Sequence, residues 1–114
     1  MVIAAGVVAL TALAPAAATV SGASAAGRVT VTISKANTTY ARVEVKNGTS
    51  RTLKDVEVDL CHYRVSCKKL NRWFVTVKPG DRIAYTGTCT RGNKIFGVVQ
   101  YPADHGEQSG IITC

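Results

Sequence analysis

Val29-Thr30-Val31-Thr32-Ile33-Ser34, followed by Ala41-Arg42-Val43-Glu44-Val45-Lys46, decides the fold class of this chain. Apolar and polar residues alternate with a period of two, as in a strand that turns one face to a core and the other to water. The pattern returns in Val56, Val58 and Leu60 against Asp55, Glu57 and Asp59, and in Trp73, Val75 and Val77 against Arg72, Phe74 and Thr76. Ile83 to Thr90 continues it less cleanly, and Ile111-Ile112-Thr113 reads as a short last strand. Lys94 to Tyr101 is apolar on both parities (Ile95 and Val99, Phe96 and Val98), which predicts a central strand covered on both faces. Turn residues separate these runs. Asn47-Gly48 opens one loop, Arg91-Gly92-Asn93 another, and Lys78-Pro79-Gly80-Asp81 has Pro and Gly where a type II turn prefers them. No stretch has helical period. About seven short antiparallel strands predict an all-β sandwich.

Upstream of the strands the chain changes character. Met1 to Gly27 carries no charge; the stretch is apolar from Val2 to Leu13, then small and polar, and ends in Ala23-Ser24-Ala25. This is the layout of a secretory signal peptide over residues 1–25, with an A-x-A cleavage site before Ala26. It departs from the usual pattern in having no Lys or Arg before Val2. A retained membrane anchor is the rival reading, but the strongly apolar core stops short of the roughly 20 residues a spanning helix needs. No later segment is apolar enough to span a bilayer. Cleavage leaves residues 26–114, a single domain.

Export gives meaning to Cys61, Cys67, Cys89 and Cys114. An even number of cysteines in a short exported chain reads as a disulfide framework. The spacing C-x5-C is no zinc knuckle, and His62 and His105 do not complete one, so no metal site is expected. Parity selects the pairing. Cys61 has the outward parity of Asp55, Glu57 and Asp59, and Cys67 lies just past a bend at Tyr63 to Ser66, so Cys61–Cys67 staples a hairpin. Cys89 has the inward parity of Ile83 and Tyr85, which leaves Cys114 to tie the C-terminal segment to the body.

The run Val43-x-Val45-x-Asn47, Leu53-x-x-Val56-x-Val58, Tyr63, Val75-x-Val77-Lys78-Pro79-Gly80 and Tyr85 resembles bacterial exported Ig-like domains of the FxLYD type. The resemblance covers roughly residues 40–85. Cys-His-Tyr stands here where that family has its aromatic-Leu-Tyr-Asp run. The resemblance implies an Ig-like sandwich with a non-catalytic, extracytoplasmic role, and it supplies no site residues.

The formal charge of +7 falls entirely on the part after the leader. Such a surface attracts anions, which outside a cell are wall polymers, lipid headgroups and acidic polysaccharides. Arg64, Lys68, Lys69 and Arg72, around the Cys61–Cys67 hairpin, are the candidate anion-binding edge; the plainer alternative is a solvated hairpin whose lysines block edge-to-edge pairing. Phe74, on the parity of Arg72 and Thr76, is the candidate exposed aromatic contact. No nucleic-acid recognition motif is present. Asp55, Glu57 and Asp59 lie too far apart along one strand face to converge on a calcium ion; they are expected to pair with Arg42, Lys46 or Arg72. Asp104-His105 and Ser109 fall in one loop, Pro102 to Gly110, which reads as a polar connection and not a catalytic triad. His62, at the end of a core-parity run, reads as structural. Asn37-Thr38-Thr39 and Asn47-Gly48-Thr49 match the N-glycosylation pattern, but the Ala-rich leader is bacterial in style and these read as turns. No catalytic residue and no cofactor is expected. The leading expectation is a small, basic, secreted, non-enzymatic binding module associated with an anionic cell-envelope polymer or an extracellular protein. The alternatives are a protease inhibitor presenting Tyr63 to Leu70, and a cationic antibacterial or toxin-like factor.

Overall fold

In the computed structural model, alternating Val, Ile and Thr residues pair into two antiparallel sheets whose apolar faces meet. The structure describes the backbone of Val20–Ser21, residues 27–102 and residues 104–114. The first sheet has the order β1-β2-β3-β7, from β1 (Val20–Ser21), β2 (Val29–Lys35), β3 (Tyr40–Asn47) and β7 (Arg82–Thr88). The second has the order β10-β8-β4-β5, from β4 (Leu53–His62), β5 (Ser66–Lys69), β8 (Lys94–Tyr101) and β10 (Ile112–Thr113). Two short strands flank this path: β6 (Val75–Val77) pairs with β4, and β9 (His105–Gln108) pairs with β8. Among the described residues there is no helix, and none that is long and apolar enough to cross a membrane.

All seven strands read from the sequence are present, with three additions. β5 has no buried residue, so no alternation announces it. β9 lies within Pro102 to Gly110, so His105–Gln108 of that loop is a paired strand and not only a polar connection. β1 falls inside the segment read as a signal peptide, where Val20 and Ser21 pair with Ile33 and Thr32. The cleavage site and the rest of that leader lie outside the described residues.

The core is built from the parity the sequence predicts. Val31, Ile33, Val43 and Val45 of the first sheet meet Val56, Val58, Leu60, Ile95 and Val99 of the second, all fully buried. Burial of each such side chain contributes about 1.5–3 kcal/mol. β8 is central in its sheet, as its apolar run predicts, but its outward residues Phe96 and Val98 are only half-buried. The Pro79-Gly80 turn forms as expected: Gly80 has φ +84° and Asp81 N–H donates to the Lys78 carbonyl at 3.0 Å.

Both disulfides follow the parity argument. Cys61 and Cys67 stand directly opposite each other across β4 and β5 and are bonded. Cys89 is bonded to Cys114, both buried, closing the C-terminal segment over the end of the core. Asn47, at the end of β3, is fully buried. Its Nδ2 donates to the carbonyls of Arg51 and Val77 at 2.7 and 2.9 Å, and its Oδ1 accepts from Thr49. That amide is a structural plug for the loop and is not presented for glycosylation.

Candidate functional site

Two surfaces concentrate chemistry, both on the second sheet. The first is the hairpin edge. β4 and β5 join through a tight turn in which Arg64 has φ 60° and Val65 N–H donates to the His62 carbonyl at 2.9 Å. Ser66–Lys69 of the proposed inhibitor loop is thus strand, and only the tip projects. Three of the four basic residues read from the sequence lie over exposed aromatic rings. The Arg64 guanidinium carbon is 5.3 Å from the Tyr63 ring centre, the Lys69 ammonium 4.9 Å from Phe74, and the Arg72 guanidinium carbon 5.4 Å from Trp73. Lys68 is exposed on the same strand and makes no such contact. Phe74 is exposed as expected, at 58%.

Trp73 corrects the sequence reading. Its parity with Val75 and Val77 places it in the core, yet it is 73% exposed. The cause is Asn71, buried before it, whose Oδ1 accepts the Val58 N–H while its Nδ2 donates to the carbonyls of Val56 and Trp73. That side chain ties the Trp73 backbone to β4, and strand alternation starts only at Val75. Val65 is also 73% exposed. Aromatic, aliphatic and cationic groups therefore share one projecting edge.

The expected pairing of the β4 carboxylates is also corrected. Arg42 and Lys46 belong to the other sheet, and Glu57 pairs with Lys69 at 3.3 Å. A bulge between Leu53 and Val56, with Asp55 at φ 53°, takes Asp55 out of the row. Asp59, opposite Lys69 and Val98, is buried, and its Oδ1 has no hydrogen-bond partner among the described residues. Burial, a hydrogen bond with Glu57 and the Glu57 charge push its carboxyl up to about 6, against the opposing pull of Lys69. Nothing in the sequence marks this residue apart from Asp55 and Glu57. Among the described residues no three His, Cys, Asp or Glu side chains gather as metal ligands.

The second surface was not legible in the sequence. Phe74, β4, β8 and β9 enclose an open groove of about 950 Å³. Tyr101 and His105, opposite each other on β8 and β9, stack with ring centres 5.6 Å apart and form one wall. Burial, with the charge of Glu107, raises the Tyr101 hydroxyl above its ordinary range. Gln100 and Gln108 contribute amides, and Asp55, Glu57, Asp104 and Glu107 contribute carboxylates. Asp104, like Asp55, has a left-handed backbone, φ 59°. Beyond the Tyr101–His105 ridge a second depression of about 480 Å³ is lined by Thr49, Arg51 and Lys54 among others.

Asp104, His105 and Ser109 do not assemble as a triad. Ser109 is buried, its Oγ accepting the Gly97 N–H at 2.8 Å and donating to the Gly110 carbonyl at 2.8 Å, while His105 lies exposed against Tyr101. A hydroxyl engaged in this way braces the turn into β10. Comparison of the chain with known proteins returned no matching family model, no matching curated protein and no matching solved structure.

Proposed function

We propose that the protein is an exported, non-enzymatic Ig-like binding module that holds an anionic cell-envelope polymer on its hairpin edge. The strand order supports the Ig-like assignment: the chain changes sheet between β3 and β4 and again around β7, with β2-β3-β7 packed on β10-β8-β4-β5. Two disulfides in so short a chain, with the charge-free leader, support export. The observation that carries the binding role is the row of three cation–aromatic pairs along residues 63–74.

A cation held over a ring is presented to solvent in a restricted geometry, so less entropy is lost when an anion binds. Among the described residues, Lys69 is the only one of the four edge cations in an ion pair, which leaves Arg64, Lys68 and Arg72 available to an anion. The Cys61–Cys67 bridge and the register of β4 with β5 keep the row rigid.

Cosedimentation of the purified protein with insoluble cell-wall material tests the reading. Retention is expected at about 50 mM salt and release at about 0.5 M, where screening collapses to a few ångströms. The R64A/K68A/R72A variant, all exposed positions, is expected to keep its melting temperature and lose retention. Retention unchanged by salt, or by that variant, overturns the assignment.

A further inference from the structure

We propose that the groove between Phe74 and the Tyr101–His105 ridge is a subsite for a neutral, hydroxyl-rich saccharide chain. The proposal goes beyond the anion-binding edge and uses different residues, apart from Phe74. Four of the seven carboxylates of a chain with net charge +7 line this groove, and only Glu57 of the four is in an ion pair among the described residues. Carboxylates at contact distance repel an anionic group. The positive field of the whole molecule slows the approach of a polycation. A neutral ligand rich in hydroxyl groups meets neither obstacle.

The wall chemistry fits such a ligand. Vicinal hydroxyls donate to carboxylates and exchange hydrogen bonds with amides, and the Gln100 and Gln108 side chains offer both a donor and an acceptor. Elsewhere in the fold, buried amides are fully engaged, as in Asn47 and Asn71. Among the described residues no side-chain hydrogen bond ties down Gln100, Gln108 or Glu107, so their polar atoms are free to face a ligand. Phe74 and the stacked Tyr101–His105 pair supply flat apolar surfaces for the C–H faces of sugar rings.

Size and continuity favour a chain over a single ring. About 950 Å³ is at the upper end of the range for small-ligand sites. The track continues over the ridge into the depression beside Thr49 and Arg51, which shares Tyr101 and His105 with it. Phe74 belongs to both surfaces: its ring lines the groove and also carries the Lys69 ammonium. A polymer with acidic substituents would set its sugar rings in the groove and its charges on the edge.

The test is a titration of the purified, isotope-labelled protein at about 0.5 M salt, which suppresses binding through the edge. Separate arms use a chitin oligosaccharide, a β-glucan oligosaccharide, a mannan oligosaccharide and an oligolysine peptide, followed through the side-chain amide signals of Gln100 and Gln108. Saturable shifts of both amides are expected with at least one saccharide and not with oligolysine. F74A and Q108A, both at exposed positions, should each weaken that binding about tenfold with melting unchanged. The proposal fails if no saccharide shifts the amides at about 10 mM, if oligolysine alone does, or if both variants bind as the parent does. Saccharide shifts that persist in R64A/K68A/R72A separate this site from the edge: wall retention unchanged in that variant, with those shifts intact, removes the anion-binding reading alone.

Discussion

Asn71 accepts the Val58 amide on its side-chain oxygen at 2.8 Å and returns a hydrogen bond to the Val56 carbonyl at 2.8 Å. The side chain thus takes the place of a backbone residue beside β4, in the gap between β5 and β6. Leu70 N–H, donating to the Val58 carbonyl at 2.7 Å, completes the splice. Asn71→Ala leaves these buried backbone groups unpaired and is expected to cost about 2–4 kcal/mol. Asn71→Asp should be no better, because a carboxylate cannot donate to the Val56 and Trp73 carbonyls. Denaturant unfolding followed by far-UV circular dichroism checks both. The single Trp73 is a poor probe, since it is already largely exposed when folded.

Asp59 gives stability a pH dependence of known sign. Its carboxyl holds a proton to about pH 6 in the fold and loses it from an ordinary value of 3.8 in the unfolded chain. The folded state therefore binds more protons between those values, and stability falls as pH rises from about 4 through about 6. Asp59→Asn keeps the shape and removes the charge. It is expected to stabilise the protein at pH 7 by about 1–2 kcal/mol and to flatten that part of the profile. Melting temperatures measured from pH 4 to pH 8 read both effects; a variant less stable than the parent at pH 7 contradicts them.

The reach of the sequence had a physical limit. Val31, Ile33, Val43, Val45, Val56 and Val58 were readable because each strand has one face in the core, and burial of that face fixes the register. The same parity paired the cysteines. β5 was hidden because none of its residues is buried, and β9 because His105-Gly106-Glu107-Gln108 has no apolar period. Trp73 departs from its parity because one buried amide, two residues upstream, interrupts the alternation. Arg64, Lys68, Lys69 and Arg72 stand out in the sequence as a cluster of charge, but the rings beneath three of them depend on how the hairpin folds. The groove draws residues from four separate segments, so no contiguous motif announces it.

The two disulfides are expected to differ in weight. The Cys89–Cys114 bridge spans 25 residues and the Cys61–Cys67 bridge spans 6. Loop-closure entropy assigns them about 3.5 and about 2 kcal/mol. Packing widens the gap, because Cys89 and Cys114 are both buried whereas Cys67 lies on an exposed strand. C89A/C114A should lower the melting temperature by more than C61A/C67A does. Calorimetry of the two double variants decides the order.

Gly97 sets how closely the two sheets approach. It lies on β8 with its missing side chain aimed across the core, and a Cβ there would stand 2.6 Å from Val43 Cγ1 and 3.3 Å from Val31 Cγ1. Both valines are fully buried in strands paired along their length, so neither can turn aside without moving a neighbour. The Gly97 N–H is also fixed, donating to Ser109 Oγ, and its carbonyl accepts from the Ser109 N–H at 2.9 Å. Gly97→Ala must therefore push β8 outward against its own hydrogen bonds. A cost of about 1–3 kcal/mol is expected. Val43→Ala removes the branched side chain that the new methyl would strike, so Gly97→Ala made in that background should cost markedly less than in the parent. A double-mutant cycle by denaturant unfolding measures the coupling, and additive losses would show that the sheet spacing is set elsewhere.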